Sequence, residues 1–265
     1  MKHNQINKFF PISSQTSVND KKILLKIRNL IKKNESKKYC YLEIGSFLGG
    51  SLTPFLMDKK CQLVVSIDKR NQNLEDERSE KWSYENFSER QMIKKLKDNN
   101  LNISKIKTFD GDIGDLKTNK KFDLVFIDGI HTDKNTFSDF LYSFEKVKKN
   151  SIILFHDSSV IFKSISLIEI FLIKNKYNFK LAKFKGSEIT GIFFGNYSKL
   201  NLSKSVSSIE KFEKFYLYSS ENLLLQQINN RIKIKFKLSR FLKKKFPYKL
   251  SLKNKEKKRS LDFHK

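Results

Sequence analysis

The chain has 265 residues, 38% of them hydrophobic and 13% aromatic, which is enough for one α/β domain with a full core and a modest appendage. The 24 phenylalanines provide large buried areas, so disorder throughout the chain is excluded. The formal net charge of +26 favours an acidic partner, although solvated lysines that reflect an AT-rich coding bias explain it equally well.

Half of the positive excess lies near the C-terminus, because residues 231–265 hold 15 Lys or Arg and 2 Asp or Glu. Cys40 and Cys61 lack metal-ligand spacing and are predicted to be buried free thiols, which fits a cytoplasmic location. The first residues do not resemble a secretory signal, and no apolar stretch reaches the ~18 residues that a transmembrane helix needs.

The N-terminal part is predicted to be an arm followed by a helix. Residues 1–19 are polar around a short apolar element and form a loose or docked arm. Residues 20–33 place apolar side chains at i, i+3, i+4 and i+7, which is typical of an amphipathic helix. Asn19 or Asp20 is the expected cap of this helix.

From residue 39 onwards, strand-like apolar segments alternate with helix-like segments. The predicted strands are 39–44, 62–67, 103–108, 122–127, 151–155, 179–184 and 190–195. The predicted helices are 89–98, 134–148 and 160–174, and residues 70–88 form a polar insert, favoured as a surface loop over a substrate-covering lid. This alternation predicts a doubly wound, Rossmann-like, mostly parallel seven-stranded sheet with helices on both faces.

The predicted division of the chain has four parts. Residues 1–37 form the arm and first helix, and residues 38–200 form the α/β domain. Residues 201–242 form an appendage that is helical at first and then alternates basic with apolar residues, and residues 243–265 form a flexible basic tail. In such folds, ligands bind at the carboxyl ends of the strands.

Three of the predicted strands end in residues typical of a cofactor site. Glu43, Gly45 and Gly49 surround the end of the first strand, where glycine allows a sharp turn and a close approach of backbone to ligand. Asp68 ends the second strand about 25 residues later, close to the spacing of a ribose-binding acid in a Rossmann unit. Asp112, after the third strand, could accept a hydrogen bond from an exocyclic amine. The respective alternatives are a plain strand-to-helix turn, a helix N-cap and, for Asp112, a turn.

Two further strand ends each carry an acid and a histidine. Parallel neighbouring strands would bring Asp128 and Asp157 together, and two carboxylates repel unless a cation or a proton intervenes. Oxygen ligands favour Mg²⁺. His131 follows Asp128 by one turn and could take a proton, while His156 precedes Asp157. Helix caps and structural histidines are the alternative interpretation.

Taken together, these motifs resemble the class I S-adenosylmethionine-dependent methyltransferases, and within them the sugar and small-molecule O-methyltransferases. The resemblance covers about residues 38–196. It is carried by residues 43–51 (EIGSFLGGS), 126–132 (FIDGIHT) and 154–157 (LFHD). Phe47 stands at the second glycine of the dinucleotide pattern Gly-x-Gly-x-x-Gly, which weighs against a nicotinamide cofactor.

The resemblance implies a cofactor-binding role for Glu43, Gly45, Ser46, Gly49, Asp68 and Asp112. The first three would line the methionine part of S-adenosylmethionine, Asp68 would hold the ribose hydroxyls, and Asp112 would approach the adenine. In metal-dependent relatives the acids at the fourth and fifth strand ends bind Mg²⁺. The implied ligands are therefore Asp128, Asp157 and, where some relatives have an acid, His156.

The resemblance also implies the reaction. In some sugar methyltransferases a histidine three residues after the first metal-binding acid is the base, which makes His131 and Asp128 the expected catalytic residues. The expected activity is O-methylation of a sugar, a glycan intermediate or another small molecule, with Mg²⁺ as a candidate assisting ion. The alternatives are a nucleic-acid methyltransferase that uses the basic tail, and a non-catalytic binding module. Residues 231–265 could contact nucleic acid or an anionic membrane, but a solvated tail is favoured, and the oligomeric state is not determined by the sequence.

Overall fold

The computed structural model describes residues 3–35, 38–70 and 72–232. In these ranges the helices α1 to α8 span His3–Asn7, Val18–Asn34, Thr53–Leu56, Glu89–Asp98, Asp133–Phe144, Phe162–Lys174, Leu202–Ser205 and Phe212–Ile232. The strands β1 to β10 span Tyr39–Ile44, Cys61–Asp68, Asn73–Glu75, Lys81–Ser83, Ile106–Asp110, Phe122–Ile127, Val147–Phe155, Phe179–Phe184, Thr190–Phe194 and Ile209–Glu210. The predicted basic tail, 243–265, and most of the predicted amphipathic element, 231–242, lie outside the described residues.

One large sheet forms the centre of the fold, in the strand order β10-β8-β9-β7-β6-β1-β2-β5. Strands β5, β2, β1, β6 and β7 are parallel, and β9 is antiparallel to both β7 and β8. The predicted doubly wound, mostly parallel sheet is confirmed. The predicted count of seven strands is wrong, because β10 adds an eighth. Its two residues are too short to show a periodic pattern.

Several predicted boundaries differ from the structure for local reasons. Helix α2 begins after Ser17, whose Oγ accepts a hydrogen bond from Asp20 N at 3.2 Å, so the predicted cap at Asn19 or Asp20 is wrong. Asp20 is buried instead, and its Oδ1 accepts from Ser187 Oγ at 2.5 Å. Helix α5 ends at Phe144, because β7 begins at Val147 rather than at residue 151.

Two hydrophobic layers cover the sheet. Along β1, Tyr39 and Tyr41 point into one layer and Leu42 into the other, because successive strand side chains alternate between faces. The first layer contains α2 and residues of the N-terminal arm, including the buried Phe10, so the arm is docked. The second layer is formed with α5, α6 and α8. Burial on both faces explains why the parallel strands have near-continuous apolar sequences.

Two segments outside the sheet reach the same edge of the molecule. The polar insert contains a hairpin of β3 and β4. Helix α8 packs Phe215 and Leu223 into the second layer. Its Gln227 Nε2 then donates to the carbonyl of Glu77 at 2.7 Å, between the two hairpin strands. Within the described ranges, no helix is long and apolar enough to cross a membrane.

Candidate active site

A cavity of about 700 Å³ lies at the carboxyl ends of β1, β2, β5, β6 and β7. The strand order reverses between β1 and β6, which is where ligands bind in open α/β sheets. The volume is that of a site for a small molecule. The predicted site residues that line the cavity are Gly45, Ser46, Asp68, Asp112, Asp128, His131, His156 and Asp157.

The turn after β1 depends on glycine at position 45. Gly45 has φ of +84°, and a Cβ there would lie 2.0 Å from the carbonyl oxygen of Asp128. Only a residue without a side chain allows this turn to approach the end of β6 so closely. Phe47, two residues on, adopts φ of +45°, a left-handed conformation that is strained for a bulky residue.

Glu43 and Gly49 lie behind this turn rather than on the cavity wall. Glu43 is fully buried and accepts hydrogen bonds from Tyr41 Oη and Ser51 Oγ, each at 2.5 Å. Burial raises the pKa of Glu43 to about 8. Gly49 has φ of +80° and faces Met92 of α4. The structure therefore gives both residues a supporting position, whereas the sequence predicted direct contact with the cofactor.

Acidic side chains mark the part of the cavity predicted to hold the nucleoside. Asp68 Oδ2 accepts a hydrogen bond from Phe47 N at 2.5 Å, and burial raises the pKa of Asp68. Asp112 is largely exposed, with Oδ2 3.5 Å from Lys69 Nζ. Asp139 of α5 also lines the cavity, and burial together with the nearby charge of Asp112 raises its pKa to about 7. Helical periodicity alone could not have singled out Asp139.

The two predicted acid–histidine pairs meet in one cluster. His131 Nε2 lies 3.2 Å from Asp128 Oδ1, and His131 Nδ1 lies 3.0 Å from Asp157 Oδ2. His156 Nδ1 lies 2.9 Å from Asp128 Oδ1. Asp157 adopts φ of +46°, so its backbone is strained where it joins the cluster. The prediction that neighbouring strand ends bring the two aspartates together agrees with this geometry.

Charge pairing controls protonation in the cluster. Burial alone would lower the pKa of His131, but hydrogen bonds with Asp128 and Asp157 outweigh it and raise that pKa to about 9. Burial would likewise raise the pKa of Asp128, but the charge of His156 and the hydrogen bond with His131 lower it. The cluster as it stands therefore pairs anionic carboxylates with protonated imidazoles.

The same residues offer ligands for a metal ion. Asp128, His131 and His156 bring one oxygen and two nitrogens within 4.8 Å of one another. Both ring nitrogens of His156 are buried and lack a well-oriented hydrogen bond to any described residue, although Asp128 lies close. A divalent cation at the cluster would bind one of these two nitrogens, and the other faces Asp20 Oδ2 or Asp128 Oδ1. Two of these three ligand atoms are imidazole nitrogens. Imidazole is a common ligand of transition metals, whereas Mg²⁺ prefers oxygen ligands. The three residues therefore suit a transition metal ion better than the predicted Mg²⁺.

The polar insert also lines the cavity, so the favoured interpretation of it as a surface loop is wrong. Arg78 Nη2 lies 2.6 Å from Asp76 Oδ2 and 3.1 Å from Asp157 Oδ2, which ties the hairpin to the cluster. Trp82 Nε1 donates to Asp76 Oδ2 at 3.0 Å. The aromatic residues in the polar insert were the available signal, since an ordinary surface loop has little reason to carry them.

Arg70 is a further lining residue that the sequence reasoning missed. It is 7% exposed, and its Nε donates to the carbonyl of Phe47 while its Nη2 reaches Ser46 Oγ, both at 3.3 Å. Its buried Nη1 has no hydrogen-bond partner among the described residues. An unsatisfied buried guanidinium nitrogen at a cavity wall is a binding group for an anion.

Several solved structures are similar to the chain. The O-methyltransferase TomG from Streptomyces achromogenes, in complex with SAM, is 14% identical with a TM-score of 0.47, over 72% of this chain and 87% of TomG. The SAH-bound methyltransferase PaMTH1 from Podospora anserina is 14% identical with a TM-score of 0.48, over 73% and 86%. MycE from the mycinamycin biosynthetic pathway, in complex with Mg and SAH, is 13% identical with a TM-score of 0.49, over 74% and 55%.

The sequence itself matches a family model, whereas no curated protein matches it. Residues 42–158 match the model of a methyltransferase domain. This segment runs from within β1 to the residue after Asp157, so it contains each of the strand ends that form the cavity. This segment of the chain is therefore similar to a methyltransferase domain, which agrees with the resemblance that its motifs carry.

Proposed function

We propose that the protein transfers the methyl group of S-adenosylmethionine to a hydroxyl oxygen of a sugar, a glycan intermediate or another small molecule. One observation carries this proposal. The glycine turn, the acid at the end of β2 and the cluster of Asp128, His131 and Asp157 all face a single cavity. A cofactor held by the first two would therefore meet a proton-accepting cluster beside its reactive end.

The cofactor half of the cavity suits the charges of S-adenosylmethionine. Gly45 and Ser46 provide the turn against which the methionine part lies, and the unpaired Nη1 of Arg70 would bind its carboxylate. Asp68 would accept from the ribose hydroxyls, and Asp112 would accept from the adenine amine. Glu43 acts from behind, since its hydrogen bond with Ser51 helps to fix the turn.

The reaction breaks the bond between the methyl carbon and the sulfonium sulfur and forms a bond between that carbon and the acceptor oxygen. The hydroxyl proton passes to a ring nitrogen of His131, and the product is S-adenosylhomocysteine. The flanking carboxylates of Asp128 and Asp157 would stabilise the imidazolium that forms, just as they raise the pKa of His131. Because its pKa is about 9, His131 is protonated at neutral pH and must lose that proton before it can accept one from the hydroxyl.

A metal ion is the second part of this proposal. A divalent cation held by Asp128, Asp157 and His156 would lower the pKa of the acceptor hydroxyl and of His131 and would orient the acceptor. Mg²⁺ is the ion that the sequence favours, whereas the imidazole of His156 favours a transition metal. Chelation with EDTA, followed by separate addition of Mg²⁺ and Mn²⁺, tests this part, and full activity after chelation would remove the metal from the proposal.

The cavity itself weighs against a nucleic-acid substrate. Seven aspartates line it, against one lysine and two arginines, although the whole chain is strongly basic. An acidic cavity repels a phosphate backbone, whereas the sulfonium and ammonium groups of the cofactor are attracted to it. Residues 233–265 lie outside the described part of the chain, so the contacts predicted for residues 231–265 with nucleic acid or a membrane stay predictions. The cytoplasmic location also stays a prediction.

Two measurements test the enzyme assignment. Titration with S-adenosylhomocysteine should show saturable binding, and a module that has lost the site would show none. A screen with methyl-labelled S-adenosylmethionine against hydroxyl, amine and nucleic-acid acceptors should then give label transfer to a hydroxylated small molecule. Transfer to RNA or DNA alone would replace the proposed function with the nucleic-acid alternative.

A further inference from the structure

A buried acid that precedes the matched methyltransferase segment reaches the cluster. Asp20 lies in the first turn of α2, whereas the family model matches residues 42–158. It is 1% exposed and does not line the cavity. Its Oδ2 lies 3.5 Å from Nε2 of His156, at ion-pair distance, while Nδ1 of the same ring faces Asp128. The ring of His156 therefore lies between two carboxylates, one in the cavity wall and one behind it.

Three donors hold the carboxylate of Asp20 in place. Ser187 Oγ and Glu188 N donate to Oδ1 at 2.5 and 2.8 Å. Ser17 Oγ donates to Oδ2 at 2.5 Å. Burial alone would raise the pKa of Asp20, but hydrogen bonding, first of all with His156, lowers that pKa to about 2. The side chain is therefore an anion that is fixed between the start of α2 and the loop that joins β8 to β9.

The sheet fixes the backbone of His156 but not the orientation of its ring. Its backbone N–H donates to the carbonyl of Ile127 at 3.0 Å, which ties the end of β7 to the end of β6. On the cavity side, Nδ1 lies 2.9 Å from Asp128 Oδ1 and 3.4 Å from Asp157 Oδ1. Among the described residues, Asp20 is the acidic partner of Nε2. Asp20 is thus the group behind the ring that can set both its rotation and the position of its proton.

The chemistry of the two side chains decides which nitrogen of His156 carries the proton. A neutral imidazole has one N–H and one lone pair, and an ionised carboxylate only accepts hydrogen bonds. Beside Asp20 the N–H belongs at Nε2, so the lone pair is at Nδ1 and faces Asp128. Histidines that bind metal ions almost always donate their other N–H to an outer group of this kind, which fixes the ring and its tautomer.

We infer that Asp20 is a positioning residue, which keeps the proton of neutral His156 on Nε2 and presents Nδ1 to the cluster as a ligand atom for a divalent cation. This inference rests on the metal ion of the proposed function, and it adds to that function a residue that precedes the matched segment. It also gives a role to the buried charge of Asp20, which the cap of α2 does not require, since Ser17 provides that cap.

NMR of the ring nitrogens reads the tautomer directly in the full chain, loaded with Zn²⁺ and carrying isotope-labelled histidine. The chain has four histidines, so single substitutions to glutamine assign each signal. We expect His156 to carry a proton on Nε2 and to bind Zn²⁺ through Nδ1. A proton on Nδ1, or Zn²⁺ bound at Nε2, would overturn the inference. This measurement needs no variant of Asp20, so it holds even where such a variant fails to fold.

Asp20→Asn changes the chemistry of the side chain while keeping its shape. The amide oxygen can still accept from Ser187 Oγ and Glu188 N, but the amide nitrogen would take the place of the oxygen beside His156. A donor at that place favours the other tautomer, with the proton on Nδ1. We therefore expect the affinity for Mn²⁺ and for Zn²⁺, measured by calorimetry, to fall about 10- to 100-fold.

Ser187→Ala is the matched control for a purely structural effect. It removes a donor to Oδ1 of Asp20 and leaves Oδ2 beside His156. Its stability in urea should fall, because buried hydrogen bonds are lost, while its metal affinity should stay close to that of the parent. An equal loss of metal affinity in Ser187→Ala and Asp20→Asn would mean that Asp20 has a structural role only, and the inference would fail.

The outcomes separate this inference from the proposed function. Unchanged metal affinity in Asp20→Asn would overturn the inference and leave the proposed methyl transfer intact. If the parent chain binds neither Mn²⁺ nor Zn²⁺, the inference falls together with the metal ion, whereas methyl transfer in EDTA would keep the rest of the proposed function. Metal affinity that depends on Asp20, in a chain that transfers no methyl group, would support the inference and remove the proposed reaction.

Discussion

The cavity has two halves that differ in how the chain builds them. The half proposed to hold the cofactor, called here the cofactor half, is made of turns that directly follow strands β1, β2 and β5 and that carry Gly45, Asp68 and Asp112. The half proposed to hold the acceptor, called the acceptor half, combines the arm and the hairpin of the polar insert, which α8 supports. One half is specified by local sequence, and the other exists only after distant segments have packed together.

The cluster of Asp128, His131 and Asp157 joins the two halves. Its aspartates belong to strand ends, whereas Arg78 from the hairpin reaches Asp157 at 3.1 Å. The proposed chemistry would therefore take place where the locally specified half meets the assembled half. Substitutions in the cofactor half should then change cofactor affinity, and substitutions in the acceptor half should change kcat/KM for the acceptor.

The largest effect should come from His131→Ala. Loss of a general base lowers turnover by about 10²- to 10⁴-fold. The affinity for S-adenosylhomocysteine should stay within a few-fold, because His131 belongs to the junction rather than to the cofactor turn. Single-turnover methyl transfer and cofactor titration measure the two quantities. A kcat equal to that of the parent would remove His131 from the base role.

A large effect on the cofactor half should come from Gly45→Ala. The left-handed conformation costs about 1–2 kcal/mol for alanine, and the 2.0 Å approach to the Asp128 carbonyl adds overpacking of about 1–3 kcal/mol. Gly186→Ala is the matched control, with φ of +71° but its nearest neighbour 3.8 Å away, so it should show the conformational cost alone. Urea unfolding of both variants isolates the close approach, and equal losses would contradict it.

The division between the halves also explains what the sequence could predict. Parallel strands have near-continuous apolar sequences and place their ends at one edge, so the sheet and the positions of Asp68, Asp128 and Asp157 followed from the pattern. Periodicity cannot report contacts between residues far apart in the chain. The lining roles of Arg70, Arg78 and the arm were therefore not predicted, since they depend on contacts such as that of Tyr84 with Gln15.

Glu43 allows a test of the support behind the cofactor turn. Its pKa is raised to about 8 in the folded protein, from an ordinary 4.5, so the folded state keeps a proton that the unfolded state releases. Stability should fall as pH rises from about 4.5 to about 8, by up to ~1.4 kcal/mol per pH unit from this group.

In Glu43→Gln this contribution to the pH dependence disappears. Urea unfolding at pH 5.5 and 8 should show a smaller loss of stability in the variant than in the parent. Exposed Glu75→Gln, which keeps the buried carboxyl, should behave as the parent. A parent and a Glu43→Gln variant with the same pH dependence would mean that the turn does not hold Glu43 in its protonated form.

The smallest effect should come from Arg78→Gln, on the acceptor half. The variant removes the guanidinium that bridges Asp76 and Asp157, and with it the anchor between the hairpin and the cluster. Because Arg78 and both aspartates are largely buried, we expect kcat/KM for the acceptor to fall about tenfold. The affinity for S-adenosylhomocysteine should not change, since Arg78 contacts neither the glycine turn nor Asp68.

Arg90→Gln, an exposed arginine on α4, is the control for the loss of charge. A loss of cofactor affinity equal to the loss in kcat/KM would mean that the two halves are one coupled unit, and the distinction between them would fail.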